Sequence, residues 1–202
     1  MIALLRKCRW SLQKIRLRLA IRQADRIRLN LGAGGTRYPG WLRTEKFTLD
    51  ITRAADWESL LGLRRADALL AEHVWEHLTE EQTALANRHC HVFLKPGGHL
   101  RLAVPDSLHP DPVYREHVRP GGVGSGAGDH KLLYDYRLLR SRLEATGFEV
   151  RLLEYWDESG QFHYMDWDSA DGHISRSRRY DKRNRSASLA YTSLIVDAVK
   201  PG

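Results

Sequence analysis

Long apolar runs are missing from this chain. No stretch approaches the roughly 18 residues that a membrane-spanning helix needs. Arg and Lys interrupt the N-terminus throughout, so it lacks the continuous apolar core of a signal peptide. Cysteine is scarce: Cys8 and Cys90 are the only two, and they fit neither a metal-ligand spacing nor a disulfide framework. Both absences suit a reducing cytoplasm. No internal repeat is visible. What remains is a chain of 202 residues, 42% hydrophobic and 28% charged, enough for one globular domain with a sizeable core.

The net charge of +7 is unevenly placed. Residues 1–28 carry nine Lys or Arg and one acid, Asp25, so that segment is +8; the remainder, with 23 basic and 24 acidic residues, is −1. The basic excess therefore belongs to an N-terminal extension, residues 1–26, and not to the domain that follows, residues 27–202. Within the extension Leu5, Cys8, Leu12, Ile15 and Leu19 recur at helical spacing, which predicts one apolar face on a cationic helix. Two uses fit such a helix. Its apolar face packs on its own domain, or it meets an anionic membrane or an acidic partner.

From residue 27 the pattern alternates. Strands are expected at 27–31, 42–46, 47–51, 66–71, 99–104, 148–153 and 191–199. Helices are expected at 78–94, opened by Thr79-Glu80-Glu81 and closed by Lys95-Pro96-Gly97, and at 132–146, closed by Gly147. Strands alternating with helices argue for a mostly parallel sheet. Two stretches break the rhythm: 105–130, rich in Pro, Gly and His, and 157–188, polar and aromatic. Both are long for plain connections, which favours a role in binding. The first follows a strand on the side where open sheets bind ligands, and reads as a lid or substrate loop.

The glycine turn Leu29–Gly35, LNLGAGG, follows the first strand. Glycines let a ligand lie against the backbone. The dinucleotide pattern would need a third Gly where Arg37 stands, and only Thr36 to Gly40 precede the next strand. That leaves no room for the usual helix, so a pyrophosphate on a helix N-terminus is disfavoured. A carboxylate at a following strand end, Glu45 or Asp50, would accept from ribose hydroxyls or an exocyclic amine. The plainer alternative is a Gly-rich turn with solvent-facing acids.

With LNLGAG, GWLRTE (40–45), LDIT (49–52), AEHVWEHL (71–78), FLKPGGHLRLAVPD (93–106) and DHKLLYDYRLLRSRLEATGF (129–148) in this order, the chain resembles the class I S-adenosylmethionine-dependent methyltransferases. More narrowly it resembles the small bacterial branch labelled methyltransferase type 11. The resemblance implies a doubly wound, mostly parallel, seven-stranded Rossmann-like α/β sheet and S-adenosylmethionine as cofactor. Leu31, Gly32, Ala33 and Gly34 would line its methionine part, and Glu45 its ribose. Asp50 and Ile51 would flank the adenine, with Glu72 and His73 on the sulfonium side. Glu45 stands where the family commonly has Asp.

Methyl transfer from a sulfonium needs positioning and, for a hydroxyl acceptor, a base; no metal is required. His is the residue type whose pKa suits that base. His73, at a strand end, and His130, closing the glycine loop, are the favoured catalytic residues over His77 and His109. Asp106, His109, Tyr114, His117, His163 and His173 are assigned to the acceptor, a polar small molecule or glycan methylated on oxygen.

Three other readings fit parts of the chain. His73-Glu76-His77 matches the H-x-x-E-H zinc hydrolase pattern, but a strand end passing into a turn would splay the rings. Glu76 and His77 then cap the next helix. Arg176, Arg178, Arg179, Lys182, Arg183 and Arg185 around Tyr180 could hold nucleic acid, yet the Asn/Asp-Pro-Pro-aromatic motif of amino-group DNA methyltransferases is absent. A solvated arm or a clamp for an anionic small substrate fits that cluster better. A cofactor-binding protein without turnover is the third.

Overall fold

The computed structural model describes residues 2–184 and 189–202, with residues 2–9 described by their backbone alone. Arg185 and the side chains of Leu5 and Cys8 lie outside the described residues.

The sheet has seven strands: β1 (Arg28–Leu31), β2 (Leu42–Arg43), β3 (Ala66–Glu72), β4 (Leu94–Pro105), β5 (Glu149–Trp156), β6 (Phe162–Tyr164) and β7 (Ser193–Val199), in the order β2-β1-β3-β4-β7-β5-β6. Pairs β1–β2, β1–β3 and β3–β4 are parallel; β4–β7, β5–β7 and β5–β6 are antiparallel. The sheet is therefore mixed, not mostly parallel. β7 inserts between β4 and β5 and reverses the local direction.

The helices are α1 (Ile2–Gln23), α2 (Ala54–Leu61), α3 (Glu80–Phe93), α4 (Pro112–Val118) and α5 (Tyr136–Glu144). α3 starts as the sequence suggests. Thr79 and Gln82 form a reciprocal capping box, and Glu80 and Glu81 occupy the positive end of the helix. Asp135 caps α5, and Gly147 turns the chain into β5 at φ 98°. The span expected as a strand at 47–51 is instead a turn: Thr48 and Leu49 donate to the Glu45 carbonyl. The residues that follow it enter α2.

The helices do not wind on both faces. The crossovers β2→β3, β3→β4 and β4→β5 all step the same way across the sheet, so right-handed connections place α2, α3 and α5 on one face. There Trp57, Phe93, Leu139 and Leu143 share one core with Leu29, Leu69, Leu102 and Val196. Two crossovers step back: β1→β2, which is too short to hold a helix, and β6→β7, which runs through the irregular 165–181 segment. The opposite face, which carries Leu70, Ala103 and Ile195, is covered by the irregular 165–181 segment through Ile174 and Trp167.

Buried polar side chains fasten this strap. Arg101 on β4, 2% exposed, pairs with both carboxylate oxygens of Asp197 at 2.7 and 2.8 Å and donates to the carbonyls of Asp168 and Gly172. Glu154 accepts from Trp167 Nε1 and the Arg178 amide. Glu72 accepts from the Ser175 and Arg176 amides. Most of the 157–188 stretch is therefore a structural cover.

α1 docks on α2 by a different side from the expected one. Leu17 and Ile21 are buried, Trp10 stacks on Phe47, Lys14 faces Asp56, and Arg18 bonds Ser59. Leu12, Ile15 and Leu19 point outward, each at least half exposed. The neighbouring surface offers Asp56 and Ser59 to cations, so a partly basic face fits it. Arg64 caps the C-terminal carbonyls of Ile21, Arg22 and Ala24. Among the described residues no helix is long and apolar enough to cross a membrane.

Candidate active site

β1 runs into a turn in which Gly32 and Gly34 have φ of 59° and 56°. A Cβ on Gly32 would lie 2.8 Å from Val74 Cγ2, while one on Gly34 would meet nothing within 4 Å. Gly32 is thus needed for conformation and space, Gly34 for conformation alone. The parallel neighbour β3 ends at Glu72, followed by His73 at φ 57°, the only non-glycine residue with positive φ among those described. Such backbone is costly and is held here by the His73 amide bonding the Ala103 carbonyl.

Two cavities open on these strand ends. One, of 300 Å³, is lined by Asp50, Ile51, Leu49, Val74 and Gln82. The other, of 480 Å³, holds Ala33, Gly34, Glu76, His130, Arg176 and Tyr191. Gly32, His73 and His77 line both. An elongated ligand draped over the glycine turn therefore reaches both.

Glu45 is half-buried, with its carboxylate bonded by the Gly34 amide and 3.8 Å from Arg43. Burial raises its pKa, against the pull of Arg43 and that amide. Leu31 lies in the core beneath the turn. Asp50 is not on a strand; one of its oxygens holds the Thr52 amide and hydroxyl. Glu72 lines the larger cavity, but both its oxygens are engaged by the strap.

His73 Nε2 is 3.0 Å from Ser193 Oγ, and its Nδ1 is 3.1 Å from Glu76 Oε1. His130 Nδ1 is 2.7 Å from the Val118 carbonyl. A carbonyl only accepts, so Nδ1 carries a proton and Nε2 of the neutral ring keeps its lone pair.

Of the residues assigned to the acceptor, His117 alone reaches the larger cavity. Asp106 is fully buried and accepts from the Trp156 and Leu108 amides; burial pushes its pKa up to about 6. His109 stacks on Tyr114 with centroids 4.0 Å apart, and burial lowers it to about 4. Tyr114 bonds the Asp106 amide and the Thr192 carbonyl. These three pack the base of the 105–130 loop. His163 pairs with Asp157 at the sheet edge. His173 lies between Tyr38 and Tyr180 in the strap. Tyr114 and His117 lie in α4 and His163 in β6, and nothing in the local spacing tells a packed His from an exposed one.

Tyr191 and Asn30 carry no signal in the sequence and Glu76 enters only through the zinc-hydrolase pattern, yet all three face the larger cavity. Glu76 does not cap α3; Thr79 does, and Glu76 is buried in the turn before it. The H-x-x-E-H spacing was the one signal for it. Arg176 and Arg183 also reach the cavity, with Arg183 lying 3.5 Å over the Tyr191 ring. That placement fits the clamp reading of the basic cluster.

Among solved structures the chain is similar to an O-methyltransferase family protein from Burkholderia thailandensis, at 12% identity over 95% of this chain and 59% of that one, TM-score 0.51. It is similar to the CurJ carbon methyltransferase at 16% identity, over 94% of this chain and 54% of that one, TM-score 0.50. The fold is the methyltransferase fold. A SAM-dependent methyltransferase from Archaeoglobus fulgidus aligns at 17% identity over 94% of this chain and 93% of that one, TM-score 0.47. No protein-family model and no curated protein matches the sequence.

Within the methyltransferase fold the glycine turn, the positive-φ His73 and the two joined cavities stand together at the C-terminal ends of β1 and β3. Open α/β sheets bind ligands at this edge.

Proposed function

We propose that the chain is an S-adenosylmethionine-dependent methyltransferase of the small bacterial type 11 branch, acting on an oxygen of a polar small molecule or glycan. The observation that carries this is the pair of cavities meeting at Gly32, His73 and His77. The left-handed glycines fit a cofactor laid on the backbone, since a Cβ at position 32 would fill part of the cradle. Gly32, Ala33 and Gly34 would hold its methionine end, Glu45 its ribose, and Ile51 with the free oxygen of Asp50 its adenine. The bound sulfonium would supply an already activated methyl group.

The chain's own residues do the rest. His130 Nε2 is positioned to take a proton from an acceptor hydroxyl, with its tautomer set by Val118. His73 stands at the junction of the cavities, where donor and acceptor meet. Arg176 and Arg183 favour an acceptor carrying negative charge. The reaction needs water kept out, and the 117–130 loop walls the chamber.

The exposed stripe of Leu12, Ile15 and Leu19 on a cationic helix supports cytoplasmic enzyme held peripherally at an anionic membrane. A membrane-borne glycan acceptor fits that location.

Incubation with trideuteromethyl-labelled S-adenosylmethionine and a panel of hydroxylated metabolites and glycans tests the reading by mass spectrometry. Transfer by the intact chain and its loss in His130→Ala support it. Donor binding with no transfer to any acceptor would favour a cofactor-binding protein without turnover.

A further inference from the structure

We propose that Glu76, His77 and His130 bind one divalent transition-metal ion in the larger cavity. The ion would have nitrogen and carboxylate ligands, as zinc, iron(II), cobalt(II) or manganese(II) accept.

Glu76 is fully buried, and neither carboxylate oxygen has a hydrogen-bond partner. His73 Nδ1 makes an ion-pair contact with one of them at 3.1 Å, so Glu76 has one cationic neighbour and no regular hydrogen bond. A buried carboxylate is retained when it is paired, protonated or bound to a metal. His77 Nδ1 is likewise buried and makes no hydrogen bond, with an Asp129 oxygen 3.5 Å away. One ligand atom each from Glu76, His77 and His130 lie within 4.8 Å of one another. Ligands sharing one ion with bonds of about 2.1 Å stand roughly 3–3.5 Å apart. Binding would require the His77 and His130 rings, now edge to face with centroids 4.8 Å apart, to draw together by that difference.

The backbone holds the three together. Glu76 and His77 share the single turn Trp75–His77. The amides of Lys131 and Leu132 both donate to the Glu76 carbonyl, which pins His130 against that turn. The Val118 carbonyl holds His130 Nδ1–H and leaves Nε2 as the ligand atom.

This set differs from the H-x-x-E-H pattern in the sequence, because His130 from the glycine loop takes the place of His73. The missing thiolate excludes a structural cysteine site. Two His and one carboxylate beside an open chamber leave coordination positions for water or ligand. In the metal-bound protein His130 Nε2 would be a ligand and could not also take the acceptor's proton; that the open positions would take and acidify an acceptor oxygen instead rests on the methyltransferase reading, and the ion itself does not.

Full-length, tag-free protein stripped with chelator and dialysed is titrated with zinc by calorimetry and with cobalt(II) by visible absorption. The expected result is one ion per chain and d–d bands without a thiolate charge-transfer band. His130→Ala, which keeps the backbone bonds to Glu76, should weaken binding by more than the roughly 10–100-fold typical of losing an orienting partner. Glu76→Gln should do the same, with circular dichroism reporting its fold. His163→Ala should bind as the parent does. No binding by the intact chain, or binding unchanged in His130→Ala, overturns the proposal. S-adenosylhomocysteine binding, measured on the same stripped protein, reports separately on the methyltransferase reading.

Discussion

Arg101→Ala probes the strap that replaces a helical layer. In the folded chain the guanidinium is 2% exposed, pairs with Asp197 through two bonds, and also bonds two carbonyls of the strap. Removing it leaves the Asp197 carboxylate without its cation and the Asp168 and Gly172 carbonyls without a donor. Breaking a buried ion pair from one side costs about 3–5 kcal/mol. For a domain of this size that corresponds to a melting point lower by about 6–20 °C. Asp197→Ala breaks the same pair from the other side and leaves the guanidinium, 2% exposed, with carbonyl acceptors but no counter-charge, so a comparable loss of about 3–5 kcal/mol is expected. Urea unfolding of both variants gives the free energies, and limited proteolysis shows where the chain opens. The expected new cleavage falls within residues 165–181. A loss below about 1 kcal/mol in Arg101→Ala, or cleavage elsewhere, would refute the view that this residue fastens the strap.

Other predictions concern the site and its supports. His109 is neutral in the fold, its pKa depressed by burial to about 4, so the unfolded chain binds the extra proton between pH 6.5 and 4. Its contribution is full above the unfolded pKa and lost as pH falls: His109→Phe should spare about 2 kcal/mol of the stability lost from pH 7 to 4.5, measured by urea unfolding at both values. Asp106 runs oppositely, because a carboxyl raised to about 6 by burial stabilises most at low pH and loses that contribution as pH rises from about 4 to 6. Gly32→Ala meets Val74 at 2.8 Å in a left-handed backbone, so a loss of about 1–3 kcal/mol in thermal unfolding is expected, together with weaker S-adenosylhomocysteine binding. Deleting residues 1–23 should abolish binding to anionic vesicles in a sedimentation assay; absence of binding by the intact chain would sink the membrane proposal.

Elements with strong local signals were legible in the sequence. The Thr79 capping box, the Lys95-Pro96-Gly97 boundary and the apolar runs of β1, β3, β4, β5 and β7 speak through neighbouring residues alone. Seven strands were expected and seven are present, but at 47–51 an apolar pattern serves a turn and packing contacts, and the short β6 was unsignalled. Sheet direction was not legible, because antiparallel β7 returns from far along the chain. The missing helix after the glycine turn was read correctly, yet its consequence, a bare sheet face under the 165–181 strap, depends on crossover direction.

The same divide runs through the site. Gly32, Ala33, Gly34, His73 and His130 line one cavity. Asp106, His109 and Tyr114 instead support the loop from below, because adjacency in a flexible-looking stretch says nothing about which side chains turn inward. On α1 the regular apolar spacing of Leu12, Ile15 and Leu19 marks the face left to solvent, since the docking face uses Lys14 and Arg18 as well as Leu17 and Ile21.

Calorimetric titration of the metal-free chain with S-adenosylhomocysteine tests the central claim most directly, repeated on Glu45→Ala. The account predicts micromolar binding in the parent, weakened in the variant by about 1–3 kcal/mol as paired ribose hydroxyls lose their acceptor. No binding by the parent would contradict the account, and equal binding by both would remove Glu45 from the cofactor site.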